Sequence, residues 1–179
     1  MTKFSTVAAT IFVTIAAAAC TTTPATNPSS DVVDVRQTMV DSINPSALAI
    51  WEIGNNATNA DGAPDPAAID AAAIARLHEA ATSMSDTAKR LAEARYNRAS
   101  GPDLVGGKVP EGVASREQIQ AAIDANPDGF RAYSRVMQGQ ADAIVAAADA
   151  KDTATLAQLV TSFDGACQAC HEKYWYVAQ

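Results

Sequence analysis

The stretch LAQLVTSFDGACQACHEKY, residues 156–174, decides the fold because its apolar and thiol-bearing positions recur every three or four residues. This spacing places them on one face of an amphipathic α-helix. The recurring positions are Leu156, Leu159, Val160, Phe163, Cys167, Cys170, His171 and Tyr174. The chain has no segment that alternates apolar and polar residues as a half-buried strand does, so we expect this helix to pack against other helices.

A first helical block is predicted over residues 31–55, where apolar residues again follow a helical period. Its stripe consists of Val32, Met39, Ile43 and Ile50. Pro45 lies inside the block. Because proline lacks the backbone N–H and clashes with the preceding turn, we expect a kink or a break near residues 42–44.

Two further blocks complete the pattern. The second spans residues 65–97 and opens with Asp65-Pro66, a capping residue followed by proline in the first turn. The third begins at a capping box over residues 115–118, and Asn126-Pro127 divides it into pieces at 116–125 and 128–149. Four amphipathic helices with mostly short connections predict an all-α protein, an antiparallel four-helix bundle.

The N-terminus has the pattern of an export signal, predicted here as residues 1–19. Lys3 provides a positive start, and an uncharged apolar run ends in Ala17, Ala18 and Ala19. Cys20 follows directly, as in a bacterial lipoprotein, where this cysteine is lipidated; ordinary cleavage after the alanines is the alternative. Residues 20–30 are polar and contain two prolines, which favours a flexible tether. We therefore expect a periplasmic domain over residues 31–179, tethered to a membrane through Cys20 or soluble.

The charge balance excludes one class of partner. The chain has 13 basic and 20 acidic residues and a formal net charge of −7. Nucleic-acid binding requires a positive surface for the phosphate backbone, so no nucleic-acid partner is expected.

The motif Cys167-Gln-Ala-Cys170-His171 indicates the chemistry. Positions i, i+3 and i+4 lie within about 100° of the circumference of one helix. Two thiols one turn apart can each react with a vinyl group at one edge of a porphyrin, and the adjacent imidazole can coordinate the iron. This pattern is typical of c-type haem attachment, and it predicts one covalent haem near the C-terminus.

Three other interpretations of the motif stay open at this point. A zinc site would need a fourth ligand, and the only other histidine is His78. A redox dithiol is usually found in a βαβ setting, which this sequence does not predict. The two cysteines could also form a structural disulfide in a haem-free exported interaction domain.

The C-terminal LAQLVTSFDGACQACHEKYW and the first-helix VDVRQTMV together resemble the cytochrome c′ family. The resemblance covers most of residues 31–177, although INPSALAIWEIGN departs from it. It implies thioether bonds at Cys167 and Cys170, a proximal ligand at His171, and Arg36 near a haem propionate. Members are often dimers, so a homodimer is possible; the redox partner is unidentified.

The ligand on the side of the haem iron opposite His171 decides the function. Counting from Arg36 by the family pattern gives Val40, and an apolar residue there would leave the iron five-coordinate and able to bind NO or CO. The helical wheel instead places Met39 nearer the middle of the stripe. A methionine ligand suits electron transfer, so we expect an electron carrier, with a gas binder as the alternative and no enzymatic turnover in either case. Met84 and Met137 are predicted to be core residues.

Overall fold

The computed structural model describes residues 32–100, 109 and 111–176. The predicted signal peptide, Cys20 and the whole predicted tether over residues 20–30 lie outside these residues. The described part is an all-α bundle, as predicted.

The first helix is continuous across three segments: α1 (Val35–Thr38), a π-helical turn (Met39–Ile43) and α2 (Asn44–Asn56). The residues at both junctions keep right-handed helical dihedral angles, so the chain does not break. The Asp34 side chain caps the helix by accepting a hydrogen bond from the Gln37 backbone N–H at 3.0 Å. The distortion expected from Pro45 therefore takes the form of a wide turn.

The second and third helices begin where side chains cap them. Asp70 caps α3 (Ala71–Glu93), and Asp65 caps a separate single turn at Pro66–Ala68, so the predicted start at residue 65 is five residues early for α3. The predicted capping box at Ser115 is confirmed for α4 (Arg116–Ala125). Asn126 caps α5 (Pro127–Asp149) through the Gly129 N–H.

The fourth helix is divided into α6 (Thr153–Thr161) and α7 (Asp164–Tyr174), whereas the sequence predicted one block. Ser162 leaves the helical conformation, and its hydroxyl lies 2.8 Å from the Gln158 carbonyl oxygen. A serine hydroxyl bonded to a carbonyl one turn back competes with the backbone and disturbs the helix locally. The apolar period continues across this interruption, so the sequence does not reveal it.

Two short strands were not predicted. β1 (Val32–Asp34) pairs in parallel with β2 (Tyr96–Arg98), with Val32 opposite Tyr96. The predicted second helical block, which extended to residue 97, therefore ends earlier. Three residues are too few to show an alternating pattern, so no sequence signal could predict these strands.

The helices pack around an apolar core, with the largest contact between α3 and α5. One cluster of buried residues joins α2, α3, α5 and α6; its largest fully buried members include Ile50, Leu77, Met84, Ile144, Leu156 and Phe163. A smaller cluster at the other end contains Val35, Leu91, Ile123, Phe130 and Tyr174. Met39 and Met137 pack against both clusters, so they lie where the two meet. Within the described residues, no helix is both long and apolar enough to cross a membrane.

Candidate functional site

A cleft lies between the first helix and α7, and it consists of two adjoining cavities. The atom-free space, which in both cases includes space open to solvent, is about 910 Å³ for the outer cavity and about 530 Å³ for the inner cavity. Five residues line both: Met39, Asn44, Phe130, Cys170 and His171. Concave sites with mainly apolar walls are typical of cofactor sites.

The three residues of the attachment motif face this cleft. Cys167 lines the inner cavity, while Cys170 and His171 line both cavities. Both cysteines are free thiols and half-buried. The structure thus brings the motif together on the cleft wall, as the helical register predicted.

Burial governs the protonation of the motif. Burial, with a smaller contribution from Asp164, raises the pKa of the Cys167 thiol to about 11. Burial, followed by the neighbouring Cys167, raises the pKa of Cys170 to about 11 as well. A redox dithiol or a zinc site uses thiolates, which positive surroundings favour. This environment instead keeps both sulfurs protonated at neutral pH.

The imidazole of His171 is held in its neutral form by the same burial. Burial lowers its pKa, and the negative charge of Asp164 opposes this with a smaller effect. Neutral imidazole is the form that binds a metal. The His171 side chain is therefore in the protonation state that an axial ligand needs.

Aromatic packing holds the end of α7 against α5. The Tyr174 ring, only 5% exposed, makes edge-to-face contacts with Phe130 and Tyr133, with centroid separations of 5.2 and 5.9 Å. Such contacts add to the free energy gained by burial. Since Tyr174 lies three residues after His171, this packing fixes the turn that carries the imidazole.

The residues after α7 close one side of the site. The ring centroids of Trp175 and Tyr176 each lie 6.1 Å from that of His171. The Ala114 N–H donates to the Trp175 carbonyl at 2.8 Å, and Val113 forms a bridge with Tyr176. The segment before α4 therefore ties down the aromatic residues that shield His171.

The surroundings of the Arg36 side chain show whether the residues of this cleft fit a haem group. Its side chain lines the outer cavity, and its buried Nε has no hydrogen-bond partner among the described residues. A buried guanidinium nitrogen without a partner is costly, and a carboxylate is its best acceptor. A haem propionate in the outer cavity would supply that carboxylate, which agrees with the position the resemblance implied.

The two candidates for the second axial position are placed differently. Met39 lines both cavities and is half-buried, whereas Val40 lines only the outer cavity and is 53% exposed. Met39 is therefore the candidate that shares both cavities with Cys170 and His171. Val40 lies towards the open mouth.

Several cleft residues were not identified from sequence. Trp51 and Met137 line the inner cavity, although Met137 was expected to be core and Trp51 only marked a departure from the family pattern. Ala99, Ser100 and Arg116 line the outer cavity. They come from a loop and a short helix far from the motif in sequence, so no local pattern could connect them with it.

The geometry weighs against a metal site built from protein ligands alone. In the described part of the chain, no three side chains of His, Cys, Asp or Glu are grouped to hold a metal ion. His78 instead has its Nε2 3.2 Å from Asp149 Oδ1. The zinc interpretation therefore lacks its ligands among these residues.

A helical bundle whose last helix presents Cys-x-x-Cys-His to a mainly apolar cleft defines a c-type cytochrome. The model of the family described as Cytochrome C' matches residues 31–175, and the chain belongs to this family. Its cofactor is accordingly covalently attached haem c with iron, which replaces the zinc, dithiol and haem-free interpretations. Comparisons with curated proteins and with solved structures each found no match.

Proposed function

We propose that the protein is a periplasmic one-electron carrier whose haem iron has His171 and Met39 as axial ligands. The observation that carries this proposal is that Met39 is the first-helix residue with a sulfur-bearing side chain that lines both cavities with His171. When bound, haem c supplies an iron that changes its charge by one electron. The remaining chemistry belongs to the residues around it.

Each residue has a separate part in this proposal. Cys167 and Cys170 hold the porphyrin through thioether bonds, for which protonated, half-buried thiols are the starting state. The His171 imidazole binds in its neutral form. The Met39 thioether favours the reduced state and so raises the reduction potential. Trp175 limits access of water to the His171 side.

The test compares two neighbouring substitutions in the haem-loaded protein. Met39→Ala is expected to convert a low-spin absorption spectrum into a high-spin one and to let the reduced protein bind CO. Val40→Ala is the matched control, since it shortens the adjacent side chain and leaves the methionine in place. An unchanged spectrum in Met39→Ala would refute the assignment of Met39.

Gas binding is the second candidate, and the position of Val40 is the observation that favours it. Val40 lies in the outer cavity next to Met39, so a small displacement of the methionine would leave an apolar residue opposite His171. In that case the wild-type protein would be five-coordinate. Rapid spectral change on adding CO to the reduced wild-type protein would establish this function in place of electron transfer.

We also propose export and a lipid anchor at Cys20. The supporting features are the apolar leader over residues 1–19 and the polar stretch that follows Cys20. With the anchor, the protein fractionates with membranes, and Cys20→Ser releases it into the periplasmic fraction. Recovery of both forms in the soluble fraction would contradict the anchor. Formation of a homodimer stays a prediction, which light scattering of the purified haem protein can check.

A further inference from the structure

The π-helical turn in the first helix lies at the residue proposed as the distal ligand. The Asn44 N–H donates to the Met39 carbonyl, five residues back, where an α-helix would use the carbonyl of Val40. The next residue is Pro45, which has no N–H and whose ring would clash with the carbonyl four residues back in an α-helix. The wide turn therefore relieves a conflict that Pro45 creates.

This turn changes which side chain faces the cleft. A π turn holds about one residue more than an α turn, so it shifts all positions on one side of it by one residue, or about 100° around the axis. If α2 is kept fixed, an uninterrupted α-helix would put Val40 at the angular position that Met39 occupies. The π turn therefore determines whether methionine or valine occupies that angular position.

The packing shows which side of the turn is fixed. On the C-terminal side, Ile43, Ala47 and Ile50 are buried in the larger core cluster. The Ser42 hydroxyl also lies 2.7 Å from that of Thr87, which is 2% exposed, and this contact ties the turn to α3. The N-terminal side consists of the four-residue α1 and the three-residue β1. A change of register would therefore move α1 and not α2.

We propose that Pro45 is a positioning residue, which sets the helical register so that Met39 and not Val40 faces His171 across the cleft. Pro45 itself lines neither cavity. The inference rests on the proposed Met39 ligand and adds the reason why Met39, and not Val40, occupies that position. It also means that one residue outside the cleft separates an electron carrier from a gas-binding site in this chain.

The experiment uses absorption spectra of the reduced haem protein with and without CO, together with helical circular dichroism. Pro45→Ala is expected to keep its helix content and to bind CO as Met39→Ala does, because Val40 now takes the distal position. The double variant Pro45→Ala/Val40→Met returns a methionine to that position and is expected to abolish CO binding again. Pro66→Ala is the matched control, an exposed proline in a single turn that lines neither cavity.

The outcomes separate this inference from the proposed function. If Met39→Ala binds CO and Pro45→Ala does not, the methionine ligand stands and the role of Pro45 is wrong. If Pro45→Ala binds CO but the double variant binds it equally well, the methionine ligand is not lost through a change of helical register, and the inference is again overturned. If Met39→Ala leaves the spectrum unchanged, the proposed ligand itself fails.

Discussion

Gly54→Ala tests the close approach between α2 and α6. A Cβ atom at Gly54 would lie 2.8 Å from the Val160 carbonyl oxygen and 3.2 Å from its carbon. Both are backbone atoms, so neither can move aside by a side-chain rotation. One of the helices must shift instead, and overpacking of this kind typically costs about 1–3 kcal/mol.

The matched control is Gly139→Ala in α5, where an added Cβ would meet nothing within 4 Å. Alanine is favoured over glycine inside a helix by about 0.5–1 kcal/mol, and this gain applies to both substitutions. The difference between the two variants therefore isolates the steric cost. We expect Gly54→Ala to be less stable than Gly139→Ala by about 1–3 kcal/mol.

Urea unfolding of the haem-loaded variants, followed by circular dichroism, measures this difference as a shift of the midpoint at constant slope. Thermal unfolding should give a matching change, with about 2–4 °C for each kcal/mol in a domain near this size. If Gly54→Ala is as stable as Gly139→Ala, the two helices do not approach as closely as described.

Three further substitutions test other contacts. Tyr174→Ala should destabilise the protein by about 3–5 kcal/mol because it removes the buried ring. Tyr174→Phe should change stability little, because the hydrogen bond that the Tyr174 hydroxyl donates is long at 3.4 Å. Equal losses of stability in urea unfolding would refute the role of ring packing. Arg36→Gln removes a positive charge at the outer cavity and should lower the midpoint potential measured by redox titration. Arg36→Lys keeps the charge and should keep the potential close to that of the wild-type protein. A higher potential in Arg36→Gln would contradict the propionate contact. Asn97→Ala removes a buried hydrogen bond to the Leu91 carbonyl at 2.9 Å and should lower the free energy of unfolding in urea by about 1–3 kcal/mol. The control is Asn55→Ala, at an exposed position. A loss in Asn97→Ala no larger than that in Asn55→Ala would refute the contribution of this hydrogen bond.

Periodicity predicted the elements whose apolar faces are long. The blocks predicted over residues 65–97 and 128–149 correspond to the two long helices at Ala71–Glu93 and Pro127–Asp149, although the first was predicted too long at both ends. The capping box at Ser115 marked a helix start correctly. Cys167, Cys170 and His171 could be placed on one face because their spacing and the helix register are both local properties. These features depend only on neighbours in the chain.

Features that depend on contacts between distant segments could not be predicted. Pro45 signalled a distortion, but its form as a π turn depends on how α2 packs in the core and on the contact between Ser42 and Thr87. The strand pairing of Val32 with Tyr96 is equally non-local. The proposed choice between Met39 and Val40 as the second ligand rests on that same turn, so counting along the chain could not decide between them.

The proposed coordination of the iron by Met39 can be tested directly by NMR of the reduced protein with labelled methionine methyl groups. The chain contains four methionines, of which Met1 belongs to the predicted signal peptide. We predict one methyl resonance shifted far upfield by the haem ring, absent in Met39→Ala and retained in Met137→Ala. A spectrum without such a resonance, or one in which it disappears in Met137→Ala instead, would contradict the proposed electron-carrier site.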